Sequence, residues 1–477
     1  MGDKLKHALF KRGPIRSVGV VGMGYVGIPS AALFARSPTF DFVWGFQRNS
    51  PTSGYKIDML NRGENPLKGE EPGLDTLIKE VVDANKFKCT ADFSEIASLD
   101  AITVTVQTPF ADAERLEPDL RPLIAGLTEV GTNMTAGALV SLESTVTPGT
   151  TGGLARRILE EKSGLVAGND FALVHAPERV MVGRLIRNLQ EQDRIVGGID
   201  ATSTERALEL YRPLSTRGAI IQMRATEAEA TKTAENAFRD LQIAAANELA
   251  LHCEAMGINV YAVRSGIASL EGEGITRAIL FPGAGVGGHC LTKDAYHLVR
   301  GGATSERSSD YPLTSKSLFV RAREINDFMP THMFNLTVAA LKRAGKTLRG
   351  ANVAVLGWAF IQNSDDARNP PSAPFRRLVV QSGATVRVHD PYVRPDTVNA
   401  LSADIEPVIS DADAMAIFTA HDAYRSLDAL EIKKWMGRLH PVVVDGRNII
   451  DPDLFIESGF IYKGIGRGDK NDHPIQD

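Results

Sequence analysis

Cysteine is scarce: the 477 residues contain three, Cys89, Cys253 and Cys290. None belongs to a CxxC pair or to a Cys/His spacing that holds zinc. This excludes a disulfide scaffold and a structural metal, and it points to a reducing, cytoplasmic compartment. Long apolar runs are missing too, since no stretch nears the ~18 consecutive apolar residues of a membrane span. The net charge of −5 comes from dispersed residues, with no basic face of the kind that grips nucleic acid. Residues 1–12 are basic but lack the apolar core of a signal peptide, and they read as a short, frayed arm. There is no low-complexity tract. No metal, nucleic acid or membrane is therefore expected as a partner.

What is present is alternation, in a chain long enough for about three domains. A short apolar strand at 17–21 leads through a glycine turn into a helix at 28–35. Strands at 42–46, 101–106, 138–142, 171–174 and 194–197 continue the βα rhythm of a doubly wound sheet. Residues 226–256 form one long Ala-rich amphipathic helix without proline or internal glycine, a spine rather than another βαβ unit. Helices from Asp294 and over 315–344 follow, then a linker at 345–350. Strands at 353–356, 386–388, 415–419 and 442–444 make a second parallel sheet. The fold class is α/β: two Rossmann-like doubly wound parallel-sheet domains, 1–212 and 346–477, joined by a central helical domain, 213–345.

The first glycine turn reads Gly22-Met23-Gly24-Tyr25-Val26-Gly27. In a dinucleotide fingerprint the first glycine makes the tight turn, the second lets pyrophosphate approach the backbone, and the third lets the helix pack on the strand. Gly22, Gly24 and Gly27 stand in that order, between a strand and a helix. The second strand should end in Asp or Glu for the ribose, but here it ends in Gln47 and Arg48. Gln47 can hydrogen-bond a plain ribose, and Arg48 suits a 2′-phosphate. NAD is the expected cofactor, with NADP left open.

The segment from Phe281 to Asp294 carries the chemistry. Its four glycines, Gly283, Gly285, Gly287 and Gly288, imply backbone packed against a ligand. A helix starting near His289 puts Cys290 at a helix N-terminus, where the dipole favours a reactive thiolate, and Asp294 on the same face one turn later. That pairing suits covalent capture of an aldehyde by sulfur, with the carboxylate managing protons or water at the same carbon. On the long helix, Glu229, Lys232, Asn236 and Arg239 recur at three- and four-residue steps. They form a polar stripe that needs partners if buried. Lys232 suits an anionic thiohemiacetal.

Further segments fall into one series: Glu71-Pro72-Gly73-Leu74, Thr108-Pro109, Glu143-Ser144-Thr145 with Pro148-Gly149-Thr150, Ala176-Pro177-Glu178-Arg179, and residues 194–198. The middle adds 234–239, 247–249 and 323–327. The last part adds 357–360, 365–368, Asp390-Pro391 and Asp445-Gly446-Arg447. Over nearly its whole length the chain resembles the UDP-glucose/UDP-N-acetylmannosamine dehydrogenase family.

The resemblance implies two NAD-dependent oxidations of a sugar C6 alcohol to a uronate. Cys290 is the nucleophile, Lys232 the stabiliser of oxyanion and alkoxide, and Asn236 the group that orients C6. Asp294 helps activate water, Glu178 is the acid/base for thioester hydrolysis, and Thr145 holds the water. Tyr25, Val26, Thr108, Pro109 and Thr145 fall in the cofactor site. Arg179, Arg239, Gly283, Gly287, His289, Phe360, Arg368 and Arg447 fall in the sugar-nucleotide site, with UDP in the C-terminal domain. Arg277 is the candidate to reach a neighbouring subunit's sugar, and a homodimer through the long helix is expected.

Gly288-His289-Cys290 and Pro177-Glu178-Arg179 are most similar to the UDP-N-acetylhexosamine branch, so UDP-N-acetyl-D-mannosamine is the expected substrate. UDP-glucose is the alternative, and a catalytically inactive UDP-sugar-binding regulatory protein the non-enzymatic one. Two residues depart from the pattern: Ile361 replaces the family's lysine, and Lys293 stands where N-acetyl enzymes carry an apolar residue. A single-step dehydrogenase of the 6-phosphogluconate kind shares the cofactor domain but has no use for the second sheet or the cysteine.

Overall fold

A computed structural model describes residues 2–67, 71–112, 117–181, 183–269, 279–304, 312, 314 and 316–474. The chain divides into two compact units, Met1–Glu235 with Tyr296–Ser309, and Asn236–Ala295 with Asp310–Asp477.

The first unit is built on eight strands: β1 (Ser17–Val21), β2 (Phe42–Phe46), β3 (Phe87–Thr90), β4 (Ala101–Val104), β5 (Leu139–Leu142), β6 (Ala172–His175), β7 (Arg194–Gly198) and β8 (Ile220–Arg224). Their order is β8-β7-β6-β5-β4-β1-β2-β3. The interior strands are buried on both faces, which is why they read as unbroken apolar runs. Val18 and Val20 belong to one core layer, and Val21, Ile102 and Val104 to the other. All pairings are parallel except β6 with β7, which is antiparallel. An antiparallel neighbour needs no crossover, so the connection after β6 starts and ends at the same end of the sheet. Arg194 thereby enters β7 beside the loop that holds Glu178.

The N-terminal segment is not a frayed arm. Gly2–Arg12 is helical, Leu5 is fully buried, and Arg12 pairs with Asp100 at 2.9 Å. One apolar side chain and one well-placed guanidinium tie down a segment whose basic composition suggested a free end.

The second unit carries β9 (Asn352–Leu356), β10 (Thr385–His389), β11 (Leu401–Ser402), β12 (Ala414–Ile417), β13 (Val442–Asp445) and β14 (Ile461–Gly464). They are all parallel, in the order β11-β10-β9-β12-β13-β14. The long helix Ala225–Ala255 begins in the first unit and continues into the second, where Leu318–Arg343 is the other long helix. No helix among the described residues is long and apolar enough to cross a membrane.

Candidate active site

In the first unit, Gly22 turns the chain out of β1 at φ +105°, a conformation that suits only glycine. A Cβ on Gly27 would run into the Gly22 carbonyl, so the helix Gly27–Arg36 sits as close to the strand as a dinucleotide turn requires. A Cβ on Gly24 would meet nothing, and no side chain caps the helix N-terminus. Open space over bare backbone at a helix N-terminus fits a pyrophosphate. Tyr25 and Val26 are half-buried in the turn. Gln47 Oε1 accepts from Met23 N at 3.1 Å and its Nε2 donates to Ser53 at 2.9 Å, while Arg48 is exposed. The side chain at the ribose position thus holds the turn itself.

The loops after β4 and β5 are sewn together. Thr108 Oγ1 donates to the Thr145 carbonyl at 2.5 Å, next to Pro109, and Ser144 Oγ donates to the Val106 carbonyl at 2.6 Å. His297 adds a fastening not foreseen from sequence: Nδ1 lies 3.0 Å from Thr147 Oγ1, and its ring meets Phe110 edge-on at 4.6 Å.

At the end of β6, Glu178 Oε1 accepts from Arg179 N at 2.7 Å. Its other oxygen lies 3.2 Å from Arg194 Nη2, which is also 3.3 Å from Glu143 Oε1. Burial pushes Glu143 up to about 7 against the pull of Arg194. Arg179 is engaged by Glu235 at 2.8 Å. Lys232 is buried, and its charge, after burial itself, helps push the enclosed His175 down to about 3. Glu229 is also buried, accepting from Gly149 N, Thr151 N and Thr151 Oγ1.

In the second unit Cys290 is exposed, and its carbonyl accepts from the amides of Lys293 and Asp294 at 3.0 and 2.9 Å, which puts it at the cap of the helix Leu291–Ala303. Asp294, fully buried one turn on, accepts from Asn236 Nδ2 at 2.5 Å and pairs with Lys293 at 2.9 Å. Lys293, odd in sequence, is thus Asp294's counter-ion. Burial, then the charges of Lys293 and Arg368, pushes His289 down to about 4 and keeps its imidazole neutral.

The glycine loop departs from expectation. Its close approaches are made by protein: Arg447 against Gly283, Pro330 against Gly285, and Phe360 against Gly287 and Gly288. The loop needs glycine so that these side chains can pack on bare backbone. Gly288 N donates to the Arg368 carbonyl at 2.9 Å, while the Arg368 guanidinium forks onto Asp366. Arg447 is half-buried, donating to the Phe418 carbonyl at 2.7 Å.

The polar stripe of the long helix also differs. Arg239 is exposed, because at about 100° per residue it falls at the margin of a stripe centred on Glu229, Thr233, Asp240 and Asn247. Those last two were overlooked from sequence. Asn247 Oδ1 accepts from Gly283 N at 2.9 Å, and Asn326 bridges Asn247 to Asp240, which pairs with Arg323 at 2.7 Å. Their seven-residue spacing on an Ala-rich helix was the available signal. Arg277 lies outside the described residues.

A glycine turn on an uncapped helix, at the point where the strand order reverses, with a second sheet of the same order further on, defines a dinucleotide-dependent dehydrogenase of the two-sheet class. Comparison with known proteins narrows this. Residues 16–215 match the NAD binding domain of the UDP-glucose/GDP-mannose dehydrogenase family, 226–327 its central domain, and 354–452 its UDP binding domain. The chain is 62% identical to NDP-N-acetyl-D-galactosaminuronic acid dehydrogenase from Methanosarcina mazei Go1, whose crystal structure superposes with a TM-score of 0.86 over 99% of both chains. It is 38% identical to UDP-N-acetyl-D-mannosamine dehydrogenase of Pyrococcus horikoshii, covering 95% of this chain and 99% of that one. A UDP-glucose dehydrogenase from the archaeon Pyrobaculum islandicum is 28% identical, with a TM-score of 0.77 over 95% and 98%. The chain belongs to the UDP-glucose/GDP-mannose dehydrogenase family. It is a nucleotide-sugar dehydrogenase, and its cofactor is NAD.

Proposed function

We propose that the chain oxidises C6 of a UDP-N-acetylhexosamine twice, to the uronate, through a thioester on Cys290. The observation that carries this reading is an exposed thiol at a helix cap, followed one turn later by a buried carboxylate fixed by Asn236 and Lys293. NAD would be held by the turn of Gly22, Gly24 and Gly27 and, when bound, would supply the hydride acceptor that each oxidation of C6 needs. Asn236 orients the C6 hydroxyl, which gives its proton to water, and Lys232 stabilises the alkoxide and the later oxyanion. The sulfur of Cys290 adds to the C6 aldehyde to give a thiohemiacetal, whose oxidation leaves a thioester. Water held by Thr145, with Asp294 assisting, adds to the thioester carbonyl. Its proton passes to Glu178, the C–S bond breaks, Cys290 leaves as thiolate, and the uronate departs. Covalent capture keeps a reactive aldehyde from escaping.

The cofactor belongs to 1–212, the catalytic loop and dimer contact to 213–345, and UDP to 346–477, with Phe360, Arg368 and Arg447 near it. Exposed Phe238 and Phe328 on the two long helices support a homodimer, and three free cysteines support a cytoplasmic setting. UDP-N-acetyl-D-mannosamine is the proposed substrate, on Arg179 and His289. The galacto epimer is the second reading, favoured by the name of the 62% identical relative.

The test is stoichiometric. Wild-type enzyme given UDP-N-acetylhexosamines and UDP-glucose in turn should reduce two NAD per uronate formed, and Cys290→Ser should stop steady turnover. One NAD per product, or full turnover by the serine variant, would falsify the thioester route.

A further inference from the structure

Two carboxylates share one cation at the carboxyl end of the first sheet. A single nitrogen, Arg194 Nη2, lies 3.2 Å from Glu178 and 3.3 Å from Glu143, and the side chains are almost wholly enclosed. The guanidinium stacks over the Tyr211 ring at 4.1 Å. Tyr211 donates its hydroxyl to Glu143 Oε1 at 2.8 Å and lies 2.7 Å from Ser141 Oγ. The other Glu143 oxygen is buried without a hydrogen-bond partner. The ionisable groups facing Glu143 are Arg194 from β7, Glu178 from the loop after β6, and Tyr211 from the helix Ala201–Tyr211.

We infer that Glu143 is a positioning residue for thioester hydrolysis, competing with Glu178 for Arg194 and so deciding when Glu178 is free to take the proton of the attacking water. The inference rests on the thioester reading above. Two buried carboxylates facing one cation leave one negative charge uncompensated, and a proton on one of them relieves it. Burial places that change on Glu143, near pH 7. With Glu143 protonated, Arg194 pairs with Glu178 alone and holds that carboxylate on the guanidinium, away from the attacking water. Once Glu143 ionises, the guanidinium is divided and Glu178 is released. Water then adds to the thioester, its proton goes to Glu178, and the sulfur leaves as thiolate. No electrons are exchanged in this step.

The experiment is intact-mass analysis of full-length enzyme, acid-quenched during turnover of UDP-N-acetylmannosamine with NAD, at pH 6 to 9. In wild type the fraction carrying a sugar adduct on Cys290 should fall about tenfold as pH rises through 7, less than the ~100-fold or more that a general base itself contributes, because Glu143 acts only through Arg194. In Glu143→Gln, which keeps the shape but never ionises, the adduct should stay high at every pH. In Tyr211→Phe, which removes a donor favouring ionised Glu143, the fall should move to higher pH. Variants whose adduct follows the wild-type pH course would overturn the inference alone. A wild type that forms no adduct at any pH would overturn the thioester reading, and this inference with it.

Discussion

His175 ends β6 with no exposed surface and no hydrogen-bond partner for either ring nitrogen. Burial, and then the Lys232 charge, pushes it down to about 3, against about 6.5 in an unfolded chain. Between those values the unfolded chain binds a proton that the folded protein refuses. Stability is therefore complete above about pH 6.5 and is lost as pH falls, by about 1.4 kcal/mol per unit. Glu143 acts with the opposite sign. Its folded value of about 7 exceeds its ordinary 4.5, so its contribution is complete below 4.5 and fades as pH rises through 7. The two partly cancel in the whole protein but separate in a variant. Urea unfolding at pH 4.5, 5.5 and 7 should show His175→Gln losing less stability than wild type on acidification. Parallel curves would mean that this histidine titrates freely.

The long helix holds the nucleophile loop through a line of polar contacts, Arg323 to Asp240 to Asn326 to Asn247 to the backbone of Gly283. Arg323 also binds Asp327. Since Asp240 and Arg323 are both enclosed, Arg323→Ala should cost about 3–5 kcal/mol, because it strands a buried carboxylate. Asp240→Leu combined with Arg323→Met should restore most of that, as no charge is left unpaired. A double variant no more stable than the single one in urea titration would show that the pair contributes more than its own compensation. Sequence reading stopped short at elements of this kind for a physical reason. Interior strands announce themselves by apolar runs, but β3, β8, β11 and β14 went unread, and all four are edge strands. They carry Lys88, Gln222, Ser402 and Lys463, since an edge need not be apolar along its length. The Cys290 helix cap and Asp294 one turn on were legible because helical spacing alone relates them. Arg194 with Glu143 was not, because only the antiparallel entry of β7 brings it there.

At the scale of the whole chain, one strand order occurs twice, each sheet running outward in both directions from its first strand, β1 or β9. Such sheets bind ligands where the order reverses, between β1 and β4 and between β9 and β12. The alternation of apolar strands and glycine turns was enough to reveal both sheets. Surfaces that cover one another in an assembly leave a fainter mark, a few large apolar side chains where solvent should be. Phe238 is 58% exposed and Phe328 43%, with Leu318 at 66%, and the Phe238 and Phe319 rings lie 5.5 Å apart. A monomer gains nothing from exposing the Phe238–Phe319 pair, whereas a symmetric dimer through that face buries it twice. Phe238→Glu would place two carboxylates in such an interface and remove two aromatic anchors. At about 2 kcal/mol per anchor, dissociation should strengthen about 1,000-fold. Light scattering across a concentration series should find wild type dimeric and the variant monomeric. A wild type that stays monomeric at high concentration would leave the exposed aromatics to some other partner and remove the homodimer from the proposal.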